Sequence, residues 1–273
     1  MRFPMIFTML AFAFHSRGIS IGSGFGLRGP VRQEPTKGAV KKIAPSNVEM
    51  VYVPTGNFIM GAEKGFADEM PPRTIYLDGF WIAKNDVTVA QFRAYCQATS
   101  YKYDWETGKP KWGWSDDYPM VMVTWDDARA YCKWAGGDLP TEAQWEKAAR
   151  GEDGRKYPWG DIFNLANLCC STGKYGSAGS PSPAGRFPSG ASPYGCLDMA
   201  GNVWQWCLDW YGPFDSTTAK NPTGPASGTD RVLRGGSWYN ANPSSFRCAG
   251  RYQFDTTLGL PAVNSGFRLA ARP

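Results

Sequence analysis

The pattern of apolar and polar positions predicts short strands early in the chain. The segment MVYVPTGNFIMG, residues 50–61, alternates apolar and polar positions on both sides of Pro54-Thr55-Gly56, which predicts a hairpin with its turn there. The segment RTIYLDGFWIAKNDVT, residues 73–88, predicts a second strand pair around Asp78-Gly79, a dipeptide typical of tight hairpin turns.

Three amphipathic segments predict helices near residues 88–99, 125–135 and 142–150. Their expected N-terminal caps are Asp86 or Thr88, then Thr124, then Thr141. In the second and third segments an acceptor side chain follows the cap by three residues, as in a capping box. Helical periodicity ends after residue 151, and loops and short strands follow. We therefore expect a single domain over residues 47–273.

Composition narrows the function classes. The 32 Gly and 21 Pro predict many turns, and the 12 Trp supply large rings for a core with few long elements. The only histidine, His15, precedes the expected domain, which excludes a histidine-based metal site and a Ser/His/Asp triad. The net charge of +5 lies largely before residue 47, so we expect no nucleic-acid partner.

The N-terminal segment predicts export. Arg2 precedes an apolar run from Phe3 to Phe14, which is typical of a signal peptide and too short to span a bilayer by the rule of about 20 residues. We expect a signal peptide over 1–20, a linker over 21–46 rich in Gly, Pro and Lys, and no transmembrane span. The expected location is secreted, periplasmic or at the cell surface. The alternative is an ill-ordered tail.

Eight motifs in a fixed order carry a family resemblance. They are MVYVPTGNFIMG, DVTVAQF, PMVMVTWDDARAYCKWAG, LPTEAQWEKAARG, YPWGD, YGCLDMAGNVWQW, RVLRGGSW and GFRLA. In this order they resemble the formylglycine-generating enzyme, or sulfatase-modifying factor, family over residues 48–273. The resemblance implies an α+β domain of the C-type-lectin-like kind, with two to three helices, small twisted antiparallel sheets and much irregular structure.

The resemblance does not carry over the family's copper chemistry. Its sulfatase-activating members oxidise a substrate cysteine with copper and dioxygen, using two cysteines after GGS(Y/W). Here those positions fall at Asn240 and Pro243. Copper(I) prefers thiolate sulfur, so we expect neither copper binding nor formylglycine generation. Family branches that hold iron through histidine are excluded by the missing His.

The same resemblance implies calcium. In YGCLDMAGNVWQW it places a Ca²⁺ site on Asp198, Gly201, Val203 and Gln205, all offering oxygens. Gln205 stands where a Glu is usual, which implies weaker ligation. A second site would begin at Asn167 and Leu168, although its downstream carboxylate has no clear counterpart. The alternative to the first site is a turn in which Asp198 caps backbone amides.

The cysteine pattern departs from the family. Its two disulfides would join Cys132 and Cys248 to positions that hold Leu269 and Ala149 here. Cys96 lies on the inward face of the first helix and Cys132 on that of the second. They either pair with each other or are small buried hydrophobes.

The segment 239–258 predicts a ligand surface, because it offers rings, amides and hydroxyls in place of the missing cysteines. The predicted binding residues are Tyr239, Asn240, Asn242, Ser244, Tyr252, Phe254 and Thr256, with Thr257 and Leu258 beside them. Gly235-Gly236, Arg247, Arg251 and Arg268 would hold the surrounding loops.

Three functions remain open for this surface. The first is an oxidative tailoring or maturation enzyme of the same family. The second is a ligand-binding protein diversified by a retroelement. The third is an accessory surface component. The ligand itself, whether protein, peptide or small molecule, is not predicted.

Overall fold

The computed structural model describes residues 33–173, 176–214, 217, 219–257 and 259–273. The expected signal peptide and the linker up to residue 32 lie outside the described residues. The compact unit that contains the domain runs from Glu34 to Pro273. Residues 34–46, which we expected in the linker, belong to this unit, because part of them pairs with the next strand along the chain.

The elements of the described residues follow one another in a simple order. The strands are β1 (Val40–Ile43), β2 (Val48–Val53), β3 (Gly56–Met60), β4 (Arg73–Leu77), β5 (Phe80–Ala83), β6 (Trp204–Trp210), β7 (Asp230–Arg234), β8 (Arg251–Asp255), β9 (Ser265–Gly266) and β10 (Ala270–Ala271). The α-helices are α1 (Val89–Thr99), α2 (Trp125–Trp134) and α3 (Glu142–Arg150). The chain between α3 and β6 is mostly loop, as its Gly and Pro content predicts.

The three predicted helices are confirmed, and so are their caps. The side chains of Thr88, Thr124 and Thr141 each accept a hydrogen bond from the backbone N–H of the residue three positions later. The side chain of that later residue accepts a hydrogen bond from the backbone N–H of the threonine in return. Each helix therefore starts at a full capping box, which satisfies amide groups that the helix itself leaves unpaired.

The two predicted hairpins are wrong, because strands on either side of each turn signal do not pair with each other. Instead β2 pairs with β5 and β3 with β4. Val53 faces Phe80 and Gly56 faces Leu77, so the same antiparallel register continues past both predicted turns, at Pro54-Thr55 and at Asp78-Gly79. Gly79 packs so closely on Tyr52 that a Cβ there would lie 2.1 Å from the hydroxyl oxygen. The actual chain reversal is the segment 61–72.

Over the described part of the chain, three small sheets and three α-helices enclose the core, which confirms the α+β prediction. The sheet orders are β1-β2-β5-β10, β3-β4 and β8-β7-β6-β9, and all pairs are antiparallel except β6 with β9. One buried cluster joins the first sheet to α1 and α2, and another joins β3 and β4 to α3, β6 and β7. The third sheet thus contacts both clusters, and the loop 235–250 connects its strands β7 and β8.

Candidate functional site

A groove of about 530 Å³ opens beside the loop that connects β7 to β8. The residues that line it are Phe66, Trp204, Leu233, Tyr239, Asn240, Asn242, Ser244, Ser245, Gly250, Arg251, Tyr252, Phe254, Asn264 and Ser265. Six of the seven predicted binding residues are among them. The seventh, Thr256, lies apart and donates its hydroxyl to the Thr229 carbonyl at 3.1 Å. Leu258 lies outside the described residues.

The glycine pair at the start of the loop is required by its geometry. Gly235 and Gly236 have φ values of +96° and +76°, a region that favours glycine. A Cβ on Gly236 would also lie 2.6 Å from the Phe246 ring, which is fully buried. The pair therefore lets the loop turn tightly over Phe246 and then rise to form one wall of the groove.

Exposed aromatic rings stand at the groove. Tyr239 is 69% exposed, Phe66 57% and Tyr252 52%. Tyr252 stacks on the buried Trp204 with ring centroids 5.2 Å apart, and Tyr239 meets Trp238 edge to face at 5.5 Å. Each tyrosine therefore has one ring surface supported by the protein and another open to a ligand.

The asparagines of the groove are held by their own loop. The Asn240 side-chain oxygen accepts from both the amide and the hydroxyl of Ser237, each at 2.9 Å. The Asn242 oxygen accepts from the Ser244 amide at 3.0 Å and caps the short 3-10 helix Pro243–Phe246. Because both oxygens are used internally, the N–H groups of these amides are the part left for a ligand.

The arginines around the loop bind buried carboxylates. The pairs are Arg234 with Glu146, Arg247 with Glu69, Arg251 with Glu142, and Arg268 with Asp86. Arg251 makes a bidentate pair, with nitrogen–oxygen distances of 2.7 and 2.9 Å. Of the described residues that line the groove, Arg251 is the only charged one, and it is committed to this pair. The groove therefore presents a neutral face.

Thiol chemistry has no site in the groove. All seven cysteines are buried and unpaired, so Cys96 and Cys132 do not form the disulfide considered above. Burial raises the pKa of the Cys248 thiol to about 12, which keeps it protonated at neutral pH. Among the described lining residues there is no cysteine.

A second cavity, of about 600 Å³, lies beyond Arg247. Two of the three guanidinium groups that line it are bound to buried carboxylates: Arg247 pairs with Glu69, and Arg150 donates to Glu146 and to the Gly61 carbonyl. Of the described residues that line this cavity, none is a predicted site residue and none has an aromatic ring. The groove is therefore the better candidate.

The loop predicted to bind calcium is closed by protein groups. Gln205 is fully buried, and its side-chain oxygen accepts from Trp145 at 2.7 Å and from the Arg268 Nε at 2.6 Å. Its amide nitrogen donates to the Asp198 carbonyl at 2.5 Å. The Asp198 carboxylate accepts from the Gly185 amide at 2.6 Å, and burial raises its pKa. Gln205 as placed does not fit a calcium ligand, because its oxygen already has two donors.

The remaining predicted calcium residues stay a prediction. Gly201 and Val203 are buried in the same loop. Asn167 ends the 3-10 helix Leu165–Asn167, and Leu168 follows it. The Asn167 carbonyl lies against Gly190, where a Cβ would approach it to 2.1 Å.

Sequence reasoning missed the five groove residues outside 239–258, which are Phe66, Trp204, Leu233, Asn264 and Ser265. Phe66 comes from the segment 61–72, whose path depends on the unexpected β3–β4 hairpin. Asn264 and Ser265 reach the groove through the parallel pairing of β9 with β6, and Trp204 through its stack with Tyr252. Only Phe66 left a signal, since it is a lone aromatic ring in a polar stretch.

Comparison with known proteins identifies relatives over most of the chain. A family model described as a sulfatase-modifying factor enzyme 1-like domain matches residues 36–273. The chain is 32% identical to a formylglycine-generating enzyme of Thermomonospora curvata, covering 82% of this chain and 93% of that protein. It is 32% identical to the Mus musculus formylglycine-generating enzyme, covering 82% and 75%. It is 35% identical to the serine/threonine-protein kinase pkn1 of Chlamydia caviae, but spans only 39% of that protein.

Solved structures agree in fold. The chain is similar to PvdO from Pseudomonas aeruginosa, with a TM-score of 0.76 and 24% identity over 88% of this chain and all of that one. It is also similar to Treponema denticola variable protein 1, with a TM-score of 0.68 and 22% identity over 86% and 99%. At these identities the likeness shows the fold alone.

Proposed function

The chain belongs to the sulfatase-modifying factor family, and from that premise we propose that it uses the family's fold to bind a ligand in the 239–254 groove and does not oxidise thiols. The observation that carries the proposal is the groove itself. Six residues chosen from the sequence for their rings, amides and hydroxyls line one cavity that holds no cysteine among its described residues.

The chemistry of the groove supports a neutral ligand. Its one described charged residue, Arg251, is bound to Glu142, so a charged ligand would lose its hydration without gaining a free partner. Exposed rings offer area for stacking, and the Asn240 and Asn242 N–H groups offer donors. An uncharged ligand with apolar faces and carbonyl, ether or hydroxyl acceptors matches this set.

Export also remains a proposal. It is supported by Arg2 and the apolar run that follows it at the start of the sequence. Over the described residues, no helix is long and apolar enough to cross a membrane. Fractionation of the host, followed by N-terminal sequencing of the mature chain, tests it. A chain found only in the cytosolic fraction with its N-terminal 20 residues intact would contradict export.

Diversification by a retroelement makes a separate prediction. A near-copy of the coding sequence for 239–258, differing at adenines, should lie close to the gene. Its absence from the neighbouring DNA would remove this interpretation and leave a conventional binding protein or tailoring enzyme.

The binding proposal is tested by a thermal-shift screen of uncharged peptides and small molecules against the purified chain. We expect ligands whose stabilising shift is lost in Tyr239→Ala and in Asn242→Ala, because a ligand that binds the folded state raises its melting temperature. Lys64→Ala, in the second cavity, and Ile162→Ala, at an exposed residue elsewhere, are the controls. Ligands whose shift disappears in Lys64→Ala and persists in the groove variants would contradict the proposal.

A further inference from the structure

The calcium that the family resemblance implies has a protein substitute in this chain. We propose that the loop 198–205 is closed by the Gln205 amide and the Arg268 guanidinium, and that this loop binds no divalent cation. The proposal concerns the structural loop and does not depend on the ligand in the groove.

The orientation of the Gln205 side-chain amide is fixed by its hydrogen bonds. Its oxygen receives two donors, Trp145 Nε1 and Arg268 Nε, at 2.7 and 2.6 Å. A carbonyl oxygen has two lone pairs, so this oxygen is saturated and the amide cannot be turned round without opposing N–H to N–H. The nitrogen therefore faces the Asp198 carbonyl, which it reaches at 2.5 Å. Calcium needs oxygen ligands, and Gln205 presents an N–H group where the family's usual Glu would present an oxygen.

Arg268 supplies a positive charge beside the same loop, where a calcium ion would otherwise do so. Its guanidinium is fully buried and donates to the carbonyl oxygens of Ala83, Lys84 and Leu197 at 2.8, 3.2 and 2.8 Å. It also pairs with Asp86 at 3.3 Å. Leu197 directly precedes Asp198, so the guanidinium fixes the chain at the entry to the loop while Gln205 fixes it from inside.

Asp198 is accommodated without a cation. Its carboxylate accepts from the Gly185 amide at 2.6 Å, and its backbone adopts φ of +56°, which Asp and Asn tolerate better than most residues. The residue therefore acts as a cap for a neighbouring loop. This agrees with the alternative considered from the sequence, a turn in which Asp198 caps backbone amides.

The reverse substitution gives the sharpest expectation. In Gln205→Glu, one carboxylate oxygen can still accept from Trp145 and Arg268, while the other meets the Asp198 carbonyl oxygen at the position of the lost N–H. These two oxygens repel each other, and a calcium ion that coordinates both, each at about 2.3–2.6 Å, would relieve the repulsion once they move apart. Gln205→Glu should therefore acquire a calcium site that the natural chain lacks.

The experiment is a calcium titration by calorimetry on the purified chain, on Asp198→Gly and on Gln205→Glu, after removal of metal with a chelator. Asp198→Gly accepts the positive φ and removes both side-chain oxygens that calcium could bind. We expect the natural chain and Asp198→Gly to bind the same number of calcium ions, so that any ion at Asn167 and Leu168 cancels in the comparison. Gln205→Glu should bind one more, and its melting temperature should rise with calcium.

Two results would overturn the proposal. One is a natural chain that binds one calcium more than Asp198→Gly. The other is a folded Gln205→Glu that neither binds an additional ion nor responds to calcium in its melting temperature. If Gln205→Glu does not fold, the comparison of the natural chain with Asp198→Gly still decides.

Discussion

Loss of the Glu146 charge should strongly destabilise the buried arginine–carboxylate pairs beside the groove, which we call its frame. Glu146 is fully buried on α3, and its carboxylate accepts from the Gly61 amide and from Arg150, each at 2.7 Å, and from Arg234. Arg234 in turn donates to the Ala249 carbonyl at 2.8 Å, directly before the groove residue Gly250. One carboxylate therefore balances two buried guanidinium groups, and one of them, Arg234, holds the end of the groove loop through the carbonyls of Ala249 and Gly250.

Glu146→Gln keeps the shape and removes the charge. The amide oxygen can still accept from Gly61 and Arg150, but the amide nitrogen then faces Arg234, donor against donor. Breaking a buried ion pair by removing one partner costs about 3–5 kcal/mol, and we expect a loss of that size in the free energy of unfolding. For a chain of this size that corresponds to a fall of roughly 6–20 °C in the melting temperature.

The assay is urea unfolding followed by tryptophan fluorescence, with Asp116→Asn as the matched control. Asp116 also pairs with an arginine, Arg93, but both side chains are exposed. Its removal should change the free energy of unfolding by about 1 kcal/mol or less. Equal losses in the two variants, or a loss under about 1 kcal/mol in Glu146→Gln, would refute the view that the buried arginines form the frame.

Three further predictions address the loop, pH and the thiols. Gly236→Ala should unfold at lower urea than Gly113→Ala, because both glycines have positive φ but a Cβ meets the Phe246 ring only at Gly236; equal midpoints would contradict this. Burial and the Glu142 charge raise the pKa of Asp209 to about 8. The folded state therefore binds the Asp209 proton more tightly than the unfolded state does. The resulting contribution to the free energy of unfolding is complete below about pH 4 and is lost as the pH rises through about 8. The free energy of unfolding should fall between about pH 5 and about pH 9 for the natural chain, and Asp209→Asn should lack this fall. An equal fall in both proteins would contradict the prediction. Finally, a thiol reagent should react with the seven cysteines only on unfolding, and rapid reaction of the native chain would show that they are exposed.

Local signals predicted the helices well. Thr88, Thr124 and Thr141 specify helix starts through contacts within three residues, which a sequence displays directly. The strands were also recognised, but their partners were not. Pro54 and Asp78-Gly79 are typical of turns, yet here they interrupt one continuous ribbon, a fact that depends on contacts such as Gly79 with Tyr52.

The candidate site divides in the same way. The residues of 239–254 were predicted because they are close in sequence and replace the cysteines of a known motif. Phe66, Trp204 and Asn264 come from three distant segments that meet only through the β3–β4 and β6–β9 pairings. The state of Gln205 could not be read from the sequence either, because a glutamine offers an oxygen and a nitrogen. Only the positions of Trp145 and Arg268 decide which one faces Asp198.

The central claim is that this member of the family binds through its groove and does not oxidise thiols. The most direct measurement places the purified chain beside the Thermomonospora curvata formylglycine-generating enzyme, each with copper(I), dioxygen and the same cysteine-containing sulfatase-motif peptide. Mass spectrometry then follows conversion of the cysteine to the aldehyde. We expect aldehyde from the relative and none from this chain at equal concentration, because Asn240 and Pro243 offer no sulfur to copper. Aldehyde that forms in proportion to the concentration of this chain would contradict the account.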